Sequence, residues 1–115
     1  MEYRVVFTFS NKKIEKGNDF DKNLLISIFV KKRNVVCDAV SPYFEEWNRE
    51  FDALYPGING WSEEYTRFIN RKQTEIVKGL DITDSVMEIR FDEYGDMYGY
   101  SKVFDTEVRI HLVEM

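Results

Sequence analysis

The chain is predicted to fold as one α+β domain, a mainly antiparallel sheet with two helices packed on one face, and three observations lead there. Apolar residues alternate with period two near both ends of the sequence. In the middle they recur every three or four residues, the spacing of one helix face. The two patterns come in runs, and not in the strict alternation that builds a parallel sheet. With 115 residues the chain suffices for one core and is too short for two, which makes residues 1–115 a single domain. A content of 43% hydrophobic and 16% aromatic residues excludes disorder.

Tyr3 to Phe9 reads as a strand, rich in β-branched and aromatic residues, with Val5, Phe7 and Phe9 on one face. The polar stretch 10–22, with Gly17, Asn18 and Asp19 as turn residues, leads to a second strand from Asn23 to Lys31 that pairs with the first. In it Leu24, Ile26, Ile28 and Val30 share a side, and the cations Lys31, Lys32 and Arg33 guard the edge against aggregation. Asn34 to Val40 fits either a first helical turn or a short strand. A helix follows over Pro42 to Tyr55, with Ser41 as N-cap, Pro42 in the first position, and Phe44, Trp47, Phe51 and Leu54 inward. After the loop 56–60 a second helix runs from Ser62 to Lys78, capped by Ser62 and stopped by Gly79. Period two then returns in a hairpin, Met87 to Phe91 and Met97 to Ser101, around the turn Asp92-Glu93-Tyr94-Gly95-Asp96. A last strand spans Glu107 to Val113, so the expected order is β-β-α-α-β-β-β, with the second sheet face open.

The net charge of −5 is concentrated. Residues 1–80 hold 12 acids and 13 bases, whereas residues 81–115 hold 9 acids and 3 bases. A field of that sign repels phosphates and attracts a basic protein, which argues against nucleic acid as partner. No apolar run reaches the roughly 20 residues of a membrane span, and the N-terminus lacks the charged and apolar stretches of a secretory leader. The expectation is a cytoplasmic protein with no membrane partner. One cysteine, Cys37, allows no internal disulfide and reads as a small packed hydrophobe.

Catalytic and cofactor signatures are missing. There is no GxGxxG, no GxxxxGK[ST], no HExxH and no GxSxG. A 12-residue calcium loop counted from Asp92 puts Val103 where a bidentate glutamate is needed, and one counted from Asp84 puts Gly95 there. His111 has no local partner, since Glu107 is more than a dozen ångströms away along an extended chain. No enzyme activity, cofactor or metal is expected. What does gather is aromatic and acidic: Tyr94, Tyr98, Tyr100 and Phe104 interleave with Asp92, Glu93, Asp96, Asp105 and Glu107. Tyrosine gives contact area at small entropic cost, and carboxylates around it select a basic partner. Asp92, Glu93, Asp96, Asp105 and Glu107 are thus the expected electrostatic contacts, with Tyr94 and Tyr98 as anchors. Open edge strands also offer a route to a homodimer.

The stretch MEIRFDEYGDMYGYSKVFDTEVRIHL, following two helices, resembles a pattern in small bacterial α+β immunity proteins of polymorphic-toxin and contact-dependent growth-inhibition systems. The shared element is a strand, an Asp-x-x-Gly turn at Asp92 to Gly95, a return strand bearing Tyr98 and Tyr100, and a final amphipathic strand over Val108 to Leu112. The resemblance implies neutralisation of a cognate toxin, many of which are nucleases with basic clefts, and it transfers no binding residues. Two other functions fit the composition. One is a phage-encoded inhibitor of a host defence nuclease, and the other is a small enzyme working with a carboxylate pair.

Overall fold

In the computed structural model, which describes residues 2–58 and 62–115, the first strand finds its partner at the far end of the chain. Strand β1 (Tyr3–Phe9) pairs antiparallel with β4 (Thr106–Glu114), from Tyr3 opposite Glu114 to Phe9 opposite Val108. Strands β2 (Glu88–Phe91) and β3 (Met97–Ser101) form the expected hairpin, and β3 pairs β4. The sheet order is β1-β4-β3-β2, antiparallel throughout. The α+β class and the antiparallel sheet stand as read from the sequence.

The second strand does not exist. Residues expected as a loop and strand form α1 (Lys12–Glu15) and the 22-residue α2 (Asp19–Val40), about 33 Å long at ~1.5 Å per residue. Asn18 starts α2: its side chain accepts from the Asp21 N–H at 2.9 Å, and Asp19 and Asp21 sit at the positive end of the helix dipole. Leu25, Phe29, Val36 and Val40 are buried along one stripe, with Lys32 between them. That stripe has helical spacing, but a lysine interrupts it and the apolar residues around it imitate an alternating strand. Packing then decides against the strand preference of a run rich in isoleucine. The segment 34–40 is accordingly the end of α2.

Ser41–Tyr43 form a single 3-10 turn, and α3 (Phe44–Leu54) follows directly. Ser41 is therefore no N-cap; its N–H donates to the Cys37 carbonyl and closes α2. Pro42 costs nothing in the first turn, where its missing N–H would be unpaired. Helix α4 (Glu63–Leu80) is capped by Ser62, whose hydroxyl accepts from the Tyr65 N–H at 3.2 Å. It runs past Gly79 and ends at Asp81, which takes the left-handed conformation with φ 54°. Part of the expected loop 56–60 falls outside the described residues.

The helices cover one sheet face. Phe9, Val108, Gly99 and Ile89 stand in one row across the four strands and are all buried on that side. Gly99 is obligatory in this row: a Cβ there would lie 2.8 Å from Phe29 Cδ2 and 2.5 Å from Met87 Sδ. Its bare backbone lets Phe29 of α2, a fully buried side chain, seat against the sheet. β3 pairs β4 only as far as Val108 opposite Gly99, so the outer halves of β1 and β4 continue as a two-stranded ribbon. Leu112 on this ribbon is 70% exposed. The molecule measures 50 × 38 × 21 Å, with a radius of gyration of 16.0 Å against about 13 Å for a compact domain of this length.

Candidate interaction surface

The sheet face away from the helices is aromatic and basic as much as acidic. The Arg90 guanidinium lies 4.1 Å from the centre of the Tyr100 ring, and that of Arg109 lies 4.3 Å from the centre of Tyr98. Each arginine also meets a carboxylate, Arg90 with Glu88 at 2.9 Å and Arg109 with Asp92 at 2.9 Å. Glu107 stands 3.8 Å from Arg109. Tyr98 and Glu107 thus already hold a cation of their own chain.

The β2–β3 turn is locked from inside by Asp92. Its Oδ1 accepts from the N–H groups of Tyr94 and Asp96, at 2.9 and 3.0 Å, and its Oδ2 takes Arg109. Its carbonyl accepts the Gly95 N–H at 3.1 Å and the Asn70 side-chain amide of α4 at 2.8 Å. Gly95, at φ 88°, supplies the positive dihedral that the turn requires. Burial works to raise the Asp92 carboxyl, yet Arg109 and the two N–H donors together hold it below the usual aspartate value. With every acceptor engaged, Asp92 scaffolds the turn. Glu93, Tyr94 and Asp96 project from it; Tyr94 is 77% exposed, and neither acid forms an ion pair among the described residues.

Asp105 belongs elsewhere. It closes the turn between β3 and β4 with φ 48°, and its carbonyl accepts from the Asn11 side chain at 3.1 Å. The five residues of β3 separate it from the hairpin tip by about 16 Å at ~3.3 Å per residue. The seven expected contacts therefore divide into an exposed tip (Glu93, Tyr94, Asp96), its internal brace (Asp92), the charge-compensated sheet face (Tyr98, Glu107) and the opposite rim (Asp105).

Beside the tip, Tyr65, Thr66, Ile69, Asn70 and Gln73 of α4 and Tyr94 with Gly95 enclose a cleft of about 190 Å³. Asn70 Oδ1 is buried there with no hydrogen-bond donor among the described residues. Tyr65 donates its hydroxyl to Asn48 Oδ1, and burial, then the nearby Asp52 charge, raise its pKa. A wider groove of about 560 Å³ runs between α2 and the segment 81–86, lined by Ile28, Val35, Ile82 and Val86.

Lys32 also departs from the sequence reading. With a helix in place of the expected strand there is no edge for these cations to guard: Lys31 is exposed, Arg33 is half-buried, and the Lys32 side chain is 14% exposed. Its ammonium donates to the Ile82 carbonyl at 2.5 Å, the Met87 carbonyl at 2.8 Å and Asp84 Oδ2 at 2.8 Å. All three of its donors are used, and the middle of α2 is clasped to the segment leading into β2. The hydrogen bond from Lys32, followed by that from the Met87 N–H, lowers the Asp84 pKa. Asp84 and Asp92 are both held as carboxylates, which suits them to fixing cations and makes them poor proton donors near neutrality. His111 Nε2 lies 3.1 Å from Thr8 Oγ1 across β1 and β4, and Cys37 is half-buried in α2.

The site residues missed in the sequence are Lys32, Asn70, Arg90 and Arg109. For Lys32 a signal exists, a cation at a position in phase with four buried apolar residues. Comparison with family models, with curated proteins and with solved structures returns no match. No helix among the described residues is long and apolar enough to cross a membrane.

Proposed function

We propose that this chain is a binding protein that neutralises a basic protein partner, as immunity proteins neutralise their toxins, and that the β2–β3 tip is its docking point. One observation carries the reading: Tyr94 stands out on a turn that six hydrogen bonds hold in place, four within it and two from Asn70 and Arg109, flanked by two carboxylates that form no ion pair among the described residues. A rigid aromatic with its surroundings fixed in advance loses little entropy on docking. The carboxylates add long-range attraction for a cationic cleft, and they speed encounter more than they deepen affinity. A toxin whose cleft binds nucleic-acid phosphates has the complementary field.

The partner to test is the protein encoded beside this gene, purified with the full chain and followed by stopped-flow association. Tyr94→Ala is expected to speed dissociation, costing about 2 kcal/mol as a central anchor does. Glu93→Lys with Asp96→Lys is expected to slow association at low salt and to change it little at high salt. Unaltered kinetics in both variants would remove the tip from the account, and failure of the two proteins to associate at all would remove the immunity reading.

A further inference from the structure

Strand β1 is an outer strand of the sheet, and its free edge has a definite hydrogen-bonding pattern. Successive residues of an antiparallel strand turn their backbone groups to alternate sides. The Met115 N–H donates to the Glu2 carbonyl and the Ser10 N–H to the Glu107 carbonyl, so even-numbered residues of β1 face β4. Odd-numbered residues face outward. Phe9 confirms the pattern, because Glu15 of α1 reaches round the edge to accept its N–H at 2.8 Å. Val5 and Phe7 turn the same way, and no described strand pairs with them on that side. The edge also lacks the protection that strands at sheet margins normally carry. YRVVFTF contains no lysine, proline or bulge, and Arg4 is its one charge. Val5, on the helix-side face, is 50% exposed.

We propose that this edge pairs with the same edge of a second copy, antiparallel about a twofold axis through Val5, giving one continuous eight-stranded sheet. Three constraints choose that register. Outward residues must oppose outward residues, so odd meets odd. An axis at Val6 would set Tyr3 against Phe9, whose N–H is already taken by Glu15. An axis at Arg4 would set two guanidinium groups directly opposite, which is destabilising. The axis at Val5 avoids both: Val5 opposes Val5, Phe7 opposes Tyr3, and Arg4 opposes Val6 of the other copy. Cross-strand pairs of aromatic and β-branched residues are the stabilising kind.

Charge supports the same arrangement. Antiparallel pairing lays the acidic end of one β1, with Glu2 and the neighbouring Glu114 of β4, alongside α1 of the other copy. Lys12, Lys13 and Lys16 there are exposed. None of these five groups forms an ion pair among the described residues of its own chain. The α1 segment thereby does two things: it stops pairing at Phe9, and it presents cations to the acidic end of the incoming strand.

Sedimentation velocity on the full chain is expected to give twice the 13.8 kDa chain mass. Val5→Pro removes an N–H that the β1–β4 ladder does not use, and it is expected to give a monomer with unchanged far-UV circular dichroism. Amide exchange reads the edge pairing without substitution: Val5 and Phe7 should be protected as well as Val6. Reversing Lys12, Lys13 and Lys16 to Glu should raise the dimer dissociation constant about tenfold at low salt, and Glu2→Lys should recover part of it. A wild-type monomer at the highest soluble concentration, free exchange at Val5 and Phe7, or a dimer that survives a folded Val5→Pro chain would each overturn the proposal. If Val5→Pro does not fold, the exchange pattern decides.

Discussion

Lys32 is the residue whose removal the fold should feel most sharply for its size. Replacing it by methionine keeps the stem packed and takes the ammonium from the Ile82 and Met87 carbonyls, leaving the part-buried Ile82 carbonyl without its donor and the Met87 carbonyl with only the Asp84 N–H at 3.3 Å. The expected loss is about 1–3 kcal/mol by urea unfolding, and Lys31→Met, on the exposed neighbour, should stay within about 0.5 kcal/mol. Acid stability belongs to this scale too. Asp84 and Asp92 ionise more readily in the folded chain than in the unfolded one, where an aspartate titrates near about 3.9. Their contribution is complete above that value and disappears as pH falls through the lower folded values. Asp92→Asn should therefore flatten the decline of unfolding free energy in acid relative to wild type. Asp84→Asn should do so less, because solvent reaches most of that carboxylate and screens it.

At the scale of elements, two glycines, one inside a helix and one inside a strand, behave oppositely in the structure. Gly79 lies inside α4 with no atom within 4 Å of where a Cβ would stand. Gly79→Ala should stabilise by about 0.5–1 kcal/mol through helix propensity. Gly99→Ala must displace Phe29 or Met87 from the core and should cost about 1–3 kcal/mol. Thermal melts of the two variants, moving in opposite directions, check both. The pair also illustrates what the sequence made legible. The hairpin, β1, β4 and α4 were readable because each carries its own periodicity and its own turn or cap. Helix α2 was misread because its stripe passes through Lys32, and because the Asn18 cap was absorbed into a supposed turn. At the docking tip the turn itself was evident, whereas the withdrawal of Asp92 into it was not. That role depends on Arg109 and Asn70, which lie 17 and 22 residues away and reach Asp92 only through tertiary structure.

For the molecule as a whole, the net charge of −5 understates how unevenly the field is disposed. On the open sheet face Arg90 and Arg109 offset Glu88, Glu107 and Asp92, while Glu93 and Asp96 at the tip form no ion pair among the described residues. Association with a basic partner should thus depend on salt through Glu93 and Asp96, and neutralising Glu107 should leave that dependence nearly unchanged; stopped-flow rates across an ionic-strength series measure it. The pairing of Tyr3 with Glu114 carries a consequence for biosynthesis. On the ribosome, β1 emerges about a hundred residues before the strand that covers its inner side, so the nascent chain carries a strand bare on both edges, with Arg4 as its one charge, until β4 follows. Helices can form meanwhile, but the sheet cannot close until β4 leaves the exit tunnel, and folding of this domain completes only after nearly all of it has been made.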